Sequence, residues 1–144
     1  MSVSSAGRDG TAFHGAKIAL FIGAKLITIL RDEDRDIPWP GHWDMPGGGR
    51  EGDETGLACV LRETQEELGL VIPATTPNWG RIYWKRGVAF WFFAAHLPAS
   101  AEKDIVFGAE GQRWELIDPM SYLKHPKAIP QFQSRLADYL AGAS

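Results

Sequence analysis

Cysteine is nearly absent from this chain: Cys59 is the only one in 144 residues. An internal disulfide is therefore excluded, nothing marks an oxidising compartment, and a cytoplasmic location is expected. A long apolar run is missing as well. The longest, residues 18–30, spans 13 positions and is interrupted by Lys25, whereas a bilayer crossing needs ~20 apolar residues. No membrane partner is expected. Basic excess is also lacking, with 15 Lys and Arg against 18 Asp and Glu and a formal charge of −3. A surface for a nucleic-acid polymer needs clustered Lys and Arg, so none is expected. The four histidines, His14, His42, His96 and His125, are too scattered to suggest a histidine metal site. What the chain does have is 44% apolar residues, 16 glycines, nine prolines and six tryptophans. The length suits one domain with one core. The Gly and Pro share points to many tight turns, or to a backbone that something must approach closely.

Read along the chain, residues 1–15 show no period and are expected to form a mobile arm, with residues 16–144 as a single domain. Gly23-Ala24 splits the apolar run into two β-like halves, 17–22 and 25–30. A hairpin fits these better than an export helix, although Arg8 and Lys17 precede them. An acidic loop with Asp32, Glu33, Asp34 and Asp36 follows, then a short extended piece at 42–45 stopped by Pro46 and three glycines. From 55 to 68 the period is helical: Leu57, Val60, Leu61, Thr64 and Leu68 share one side, and Gly69 is a C-terminal stop. Strands are expected at 81–85 and 88–97, joined through Arg86-Gly87, and at 105–107 and 113–117. A helix is expected at 126–141, with Ile129, Phe132, Leu136, Tyr139 and Leu140 on its apolar side. Strands, helix, strands and helix together predict an α/β (α+β) fold in which a mixed sheet is covered by helices.

Two motifs mislead. Residues 47–52 read Gly-Gly-Gly-Arg-Glu-Gly and satisfy G-x-G-x-x-G, but Pro46 precedes them, and Glu51, Asp53 and Glu54 would repel a bare pyrophosphate. Asp32, Asp34 and Asp36 imitate a calcium loop. Its sixth position, which should be glycine, is Ile37, so a solvated acidic turn is the better reading. The informative feature is the helix. Glu63, Glu66 and Glu67 lie at i, i+3 and i+4 and project from one side. Like charges at this spacing destabilise an isolated helix by ~0.2–0.5 kcal/mol per pair, and near its C-terminal half the dipole adds to the cost. Either this is a solvated acidic face, or a divalent cation compensates it. All-oxygen donors would suit Mg²⁺ or Mn²⁺ rather than zinc.

The surrounding string, Gly48-x5-Glu54-x7-Arg62-Glu63-Thr64-x-Glu66-Glu67-x-Gly69-Leu70, resembles the signature of the Nudix hydrolases, G-x5-E-x7-R-E-U-x-E-E-x-G-U. Every fixed letter is present, and Thr64 at the first U position is the one departure. The similarity extends to residues 42–48 ahead of the box, and downstream to Glu110-Gly111-Gln112, Trp114 and the final helix, as in MutT-type members. This resemblance implies an α/β/α sandwich in which the box binds divalent metal and a diphosphate. It implies Glu66 and Glu67 as principal metal ligands, and Glu63 as a ligand or general base. Arg62 and Glu54 would hold the catalytic carboxylate, the carbonyl of Gly47 or Gly48 would be a backbone ligand, and Glu110 a further carboxylate at the site.

The implied reaction is Mg²⁺-dependent hydrolysis of a phosphoanhydride in a nucleoside diphosphate linked to X, Mn²⁺ being a possible substitute. A carboxylate among Glu63, Glu66 and Glu110 would accept the proton of the attacking water. The partner is then a small-molecule nucleotide, of (d)NTP type, and the protein a monomer or homodimer. ADP-ribose, nucleotide-sugar or dinucleoside polyphosphate hydrolysis, or a non-catalytic nucleotide sensor, are the alternatives. Oxidised-guanine members carry a base-reading Asn near the last helix. Here the segment is Lys127-Ala128-Ile129-Pro130-Gln131, leaving only Gln131 or Gln133 as substitutes. Among the tryptophans, Trp84 and Trp91 are expected in the core. Cys59, one turn before Glu63 among acidic neighbours, reads as a small filler rather than a reactive thiol.

Overall fold

A computed structural model of the chain describes residues 12–142. Most of the expected arm lies outside these residues. Of its described part, Phe13 is buried in the core, and Gly15 already belongs to the first strand. The elements run β1 (Gly15–Ile22), β2 (Lys25–Leu30), β3 (Trp43–Asp44), β4 (Gly47–Gly49), α1 (Gly56–Leu68), β5 (Trp79–Lys85), β6 (Val88–Leu97), β7 (Arg113–Ile117), α2 (Pro119–Lys124) and α3 (Pro130–Gly142). The sheet follows the order β3-β2-β1-β6-β5, with β4 on β1 and β7 on β2. Its β1–β6 pair is parallel and the others are antiparallel, so the sheet is mixed as expected.

The strand period of two sends β1 side chains to both faces, and both are covered. Ile18, Leu20 and Ile22 pack with Leu57, Val60 and Leu68 of α1. Ala19 and Phe21 pack with Phe132, Leu136 and Tyr139 of α3 and with Tyr122 of α2. The result is the α/β/α sandwich. Helix α1 starts at Thr55, whose side chain accepts from the Ala58 amide at 3.1 Å, and stops at Gly69 in the left-handed region at φ 68°. These two caps satisfy backbone groups that the helix leaves open. Thr64, the departure from the box, is fully buried, and its hydroxyl donates to the Val60 carbonyl at 2.7 Å, so its polarity is satisfied within the helix.

Four expectations need correcting. Residues 105–107 form no strand. The Val106 and Gly108 amides instead donate to the carbonyls of Leu68 and Glu67 at 2.8 Å each, closing the open C-terminal end of α1 rather than a sheet edge. The expected 126–141 helix begins only at Pro130, because residues 127–129 bond to Trp43. Ahead of it stands α2, capped by Asp118 with Pro119 at the first position, which sequence reading passed over. Leu140 is 39% exposed. Trp84 is 63% exposed, because it lies on the edge strand β5 next to the hairpin tip, where it lines a surface cavity with Phe13 and Val88. Trp91, on β6 inside the sheet, is buried as expected.

Candidate functional site

The first turns of the site are built around one guanidinium. Arg62 donates to Glu54 through Nη2 at 2.7 Å and Nε at 3.1 Å, to the Gly49 carbonyl at 3.0 Å and to Glu66 at 3.2 Å. A planar fork that meets a carboxylate through two donors holds it in one orientation. Arg62 lowers the pKa of Glu54 and is itself held more firmly charged by it. Glu54 in turn accepts from the Glu51 amide at 2.8 Å, and the Arg50 Nε donates to the Glu54 carbonyl at 3.0 Å. The loop before α1 is thereby fastened to the middle of the helix.

The last turns meet the glycine strand. The Gly47 amide donates to Glu67 at 2.8 Å. Gly47 and Gly48 are there because β4 runs close to β1 and to the helix. Gly47 sits at φ 130°, and a Cβ on it would lie 2.1 Å from the Ala16 carbonyl oxygen, while one on Gly48 would strike the Glu63 carboxyl at 2.6 Å. No larger residue fits between Glu63 and this backbone. Burial raises the pKa of Glu63 and pushes that of Glu67 up to about 7, the Lys17 charge opposing both shifts. Two carboxylates held this way, beside an exposed Glu66, form a site short of positive charge.

Glu63, Glu66, Glu67, Ala109 and Glu110 line one cavity of about 220 Å³. A neighbouring one of about 320 Å³ shares Glu67 and Glu110 and runs to Arg31, Asp32, Ile37 and Asp44. Glu110 reaches the helix because the Gly108 amide is tied to α1. The structure thus brings Glu63, Glu66, Glu67 and Glu110 around one space, with Gly47 bonded to Glu67, Gly48 close to Glu63, and Arg62 linking Glu66 to Glu54. Among the described residues no three His, Cys, Asp or Glu side chains converge as a ready-made ligand set. Glu66 is turned onto Arg62 and Glu67 onto the Gly47 amide. The donors are nonetheless of the kind a hard divalent cation takes, carboxylate and carbonyl oxygens without imidazole or thiolate. The Gly47 carbonyl already faces a cation, the Lys17 ammonium at 3.1 Å.

Cys59 is fully buried, with Sγ 3.5 Å from the Gly48 carbonyl. Burial, with Glu54 next, pushes its thiol up to about 12, so it packs as a neutral filler. The false motifs fall away. Asp32, Asp34 and Asp36 are exposed, with Asp34 accepting from the Asp36 amide at 2.9 Å in a local turn. Gln133 has its amide spent on the carbonyls of Tyr122, Leu123 and His125, whereas Gln131 lines a cavity.

Sequence reasoning missed three side chains. Asp44 is 5% exposed and pairs with Lys17 at 3.1 Å and Arg31 at 2.9 Å. Lys17 also donates to the Met45 carbonyl at 3.2 Å. The available signal was a lysine inside an apolar strand and an aspartate inside a short extended segment: a buried charge implies a partner. Arg135, buried on the α3 face that carries Phe132 and Leu136, gave the same kind of signal.

The family model described as "NUDIX domain" matches residues 14–139. The chain is 35% identical over 69 residues to Nudix hydrolase 3 of Arabidopsis thaliana, which is 46% of this chain and 9% of that protein. It is 43% identical over 51 residues to the RNA pyrophosphohydrolase of Acidiphilium cryptum (strain JF-5), covering 35% of this chain and 31% of that one. The matched segments therefore span less than a third of these curated relatives. In fold it is similar to the crystal structure of the MutT protein from Methanosarcina mazei Go1, with a TM-score of 0.71 at 16% identity over 90% of this chain and 94% of that one.

Proposed function

Because the chain belongs to the NUDIX family, we propose that it hydrolyses a phosphoanhydride bond in a nucleoside diphosphate linked to X. The substrate we assign is a nucleoside triphosphate. The observation that carries this reading is the array of Glu63, Glu66, Glu67 and Glu110 around one cavity, backed by the Arg62–Glu54 fork. A divalent cation, Mg²⁺ or Mn²⁺ in its place, would be held by Glu63, Glu66, Glu67 and Glu110 and by the carbonyl of Gly47 or Gly48. When bound, it supplies an acidified water and neutralises charge building on the phosphate oxygens. Arg62 fixes Glu54 and draws Glu66 into line. The Gly47 amide orients Glu67, and Gly48 leaves room for Glu63. The water's proton passes to a carboxylate among Glu63, Glu66 and Glu110. Of these, Glu63 has the affinity for a proton that burial confers. The protein acts as one domain whose core already includes Phe13, as a monomer or homodimer in the cytoplasm.

The test is incubation of the purified protein and Mg²⁺ with nucleoside triphosphates, nucleotide sugars, ADP-ribose and dinucleoside polyphosphates, with the products resolved. Release of a nucleoside monophosphate and pyrophosphate from a triphosphate is expected, and its loss in Glu67→Gln. No turnover of any compound overturns the hydrolase reading, and turnover confined to another class overturns the triphosphate assignment.

A further inference from the structure

On the α3 side of β4 lies a cavity of about 250 Å³ whose walls include Lys17, Lys85, Phe90, Gln131, Phe132 and Arg135. Arg135 is 8% exposed. Its side chain makes no hydrogen bond or ion pair among the described residues. Its guanidinium lies over the rings of Tyr83, Phe90 and Phe132, 4.8, 5.8 and 5.7 Å from their centroids. Asp138, one turn further along α3, is already engaged by Tyr83 at 2.8 Å and Arg81 at 3.7 Å. Arginine does not lose its proton in proteins, so this buried charge cannot neutralise itself. The rings stabilise its faces but leave its in-plane donors without an acceptor. Lys17 is balanced by Asp44, whereas Lys85 adds a second unmatched charge. Among the described residues no Asp or Glu lines the cavity.

We propose that this cavity is an anion subsite that takes a phosphate on the ribose of the nucleotide, such as a 3′-phosphate, remote from the scissile anhydride. It rests on the hydrolase reading above for its link to the substrate. Gly48 provides that link, lining the cavity on one side, while on the other a Cβ added to it would strike the Glu63 carboxyl. A substrate with its anhydride at the carboxylates can extend past β4 to Arg135. The anionic ligand supplies acceptors to the guanidinium edge and charge to Lys85, which the described residues do not.

The test begins with inorganic phosphate titrated by calorimetry into the whole protein in EDTA, where the metal-free carboxylates repel phosphate. Saturable binding is expected, weakened roughly tenfold or more by Arg135→Gln and less by Arg135→Lys, which keeps the charge. No saturable binding overturns the proposal, as does unchanged binding in a folded Arg135→Gln. Should that variant fail to fold, Lys85→Glu at an exposed position gives the same readout with the same expected loss. In a second arm with Mg²⁺, a nucleoside triphosphate bearing an added 3′-phosphate is compared with the plain one. A higher kcat/KM for the former is expected, with the advantage gone in Arg135→Gln. Phosphate binding without that advantage assigns the cavity to free phosphate and overturns the substrate subsite. Turnover of neither compound, with Arg135-dependent phosphate binding intact, overturns the hydrolase reading and the substrate link together but supports the anion site.

Discussion

Burial of the Glu67 carboxyl makes stability depend on pH in a way that can be measured without any substrate. Its carboxyl is buried against β4, which raises its pKa from 4.5 to about 7 despite the Lys17 charge and the Gly47 amide. The folded protein therefore holds the Glu67 proton more tightly than the unfolded chain does. The associated stability is fully present below pH 4.5 and is lost as the pH rises through about 7. The rise corresponds to about 3 kcal/mol, an upper figure for the whole window. Glu63 shifts in the same direction, also through burial, and steepens the decline. Glu67→Gln keeps an oxygen for the Gly47 amide and removes the charge. Urea unfolding of metal-free protein between pH 4.5 and 8 should show wild-type stability falling by up to ~3 kcal/mol more than that of the variant. At pH 8 the variant is then the more stable of the two in EDTA. Added Mg²⁺ or Mn²⁺ should raise the wild-type midpoint and leave that of the variant nearly unmoved, since only the wild type offers the cation this carboxylate. Parallel pH profiles for the two proteins would refute the burial argument.

Three further outcomes follow from the same geometry. Arg62→Lys keeps the charge but loses the fork that grips Glu54 and the Gly49 carbonyl; kcat should fall ~10–100-fold with the circular dichroism spectrum unchanged, as steady-state kinetics would show. Gly47→Ala forces a Cβ against the Ala16 carbonyl at a φ that side chains rarely adopt, and should cost about 2 kcal/mol or more in chemical denaturation. Cys59, buried and with its thiol pushed up to about 12, should resist alkylation at pH 8 in the native protein and react on unfolding. Rapid labelling of folded protein, followed by mass spectrometry, would contradict its placement.

Local signals decide which parts of the fold can be read from sequence. The β1–β2 hairpin, α1 and the β5–β6 pair announce themselves through their period and through Gly23, Gly69 and Gly87, whose positive φ values close the turns. Residues 105–107 have the same apolar look as a strand. What decides them is non-local: the carbonyls left open at the end of α1 take the Val106 and Gly108 amides. Trp84 fails for a similar reason. Its strand is legible, but Trp84 shares the α1-side face with Ile82, and how far along that edge strand the α1-side core reaches is set by tertiary packing.

The site divides along the same line. Glu63, Glu66 and Glu67 are close in sequence, so helix geometry alone puts them on one face. Glu110, Asp44 and Lys17 reach them only through the sheet and through the contact of the 105–108 segment with α1, and nothing local encodes those distances. A buried charge is a partial exception to that limit. Lys17 within β1 and Arg135 on the apolar side of α3 each break a hydrophobic pattern at a cost that only a partner offsets. Lys17 resolves the conflict internally, on Asp44 and the Met45 and Gly47 carbonyls. Arg135 does not, because the rings around it offer faces but no acceptors. A pattern break with a partner inside the fold is architecture. One whose partner is missing from the described residues points outward, to a ligand that brings the acceptors with it.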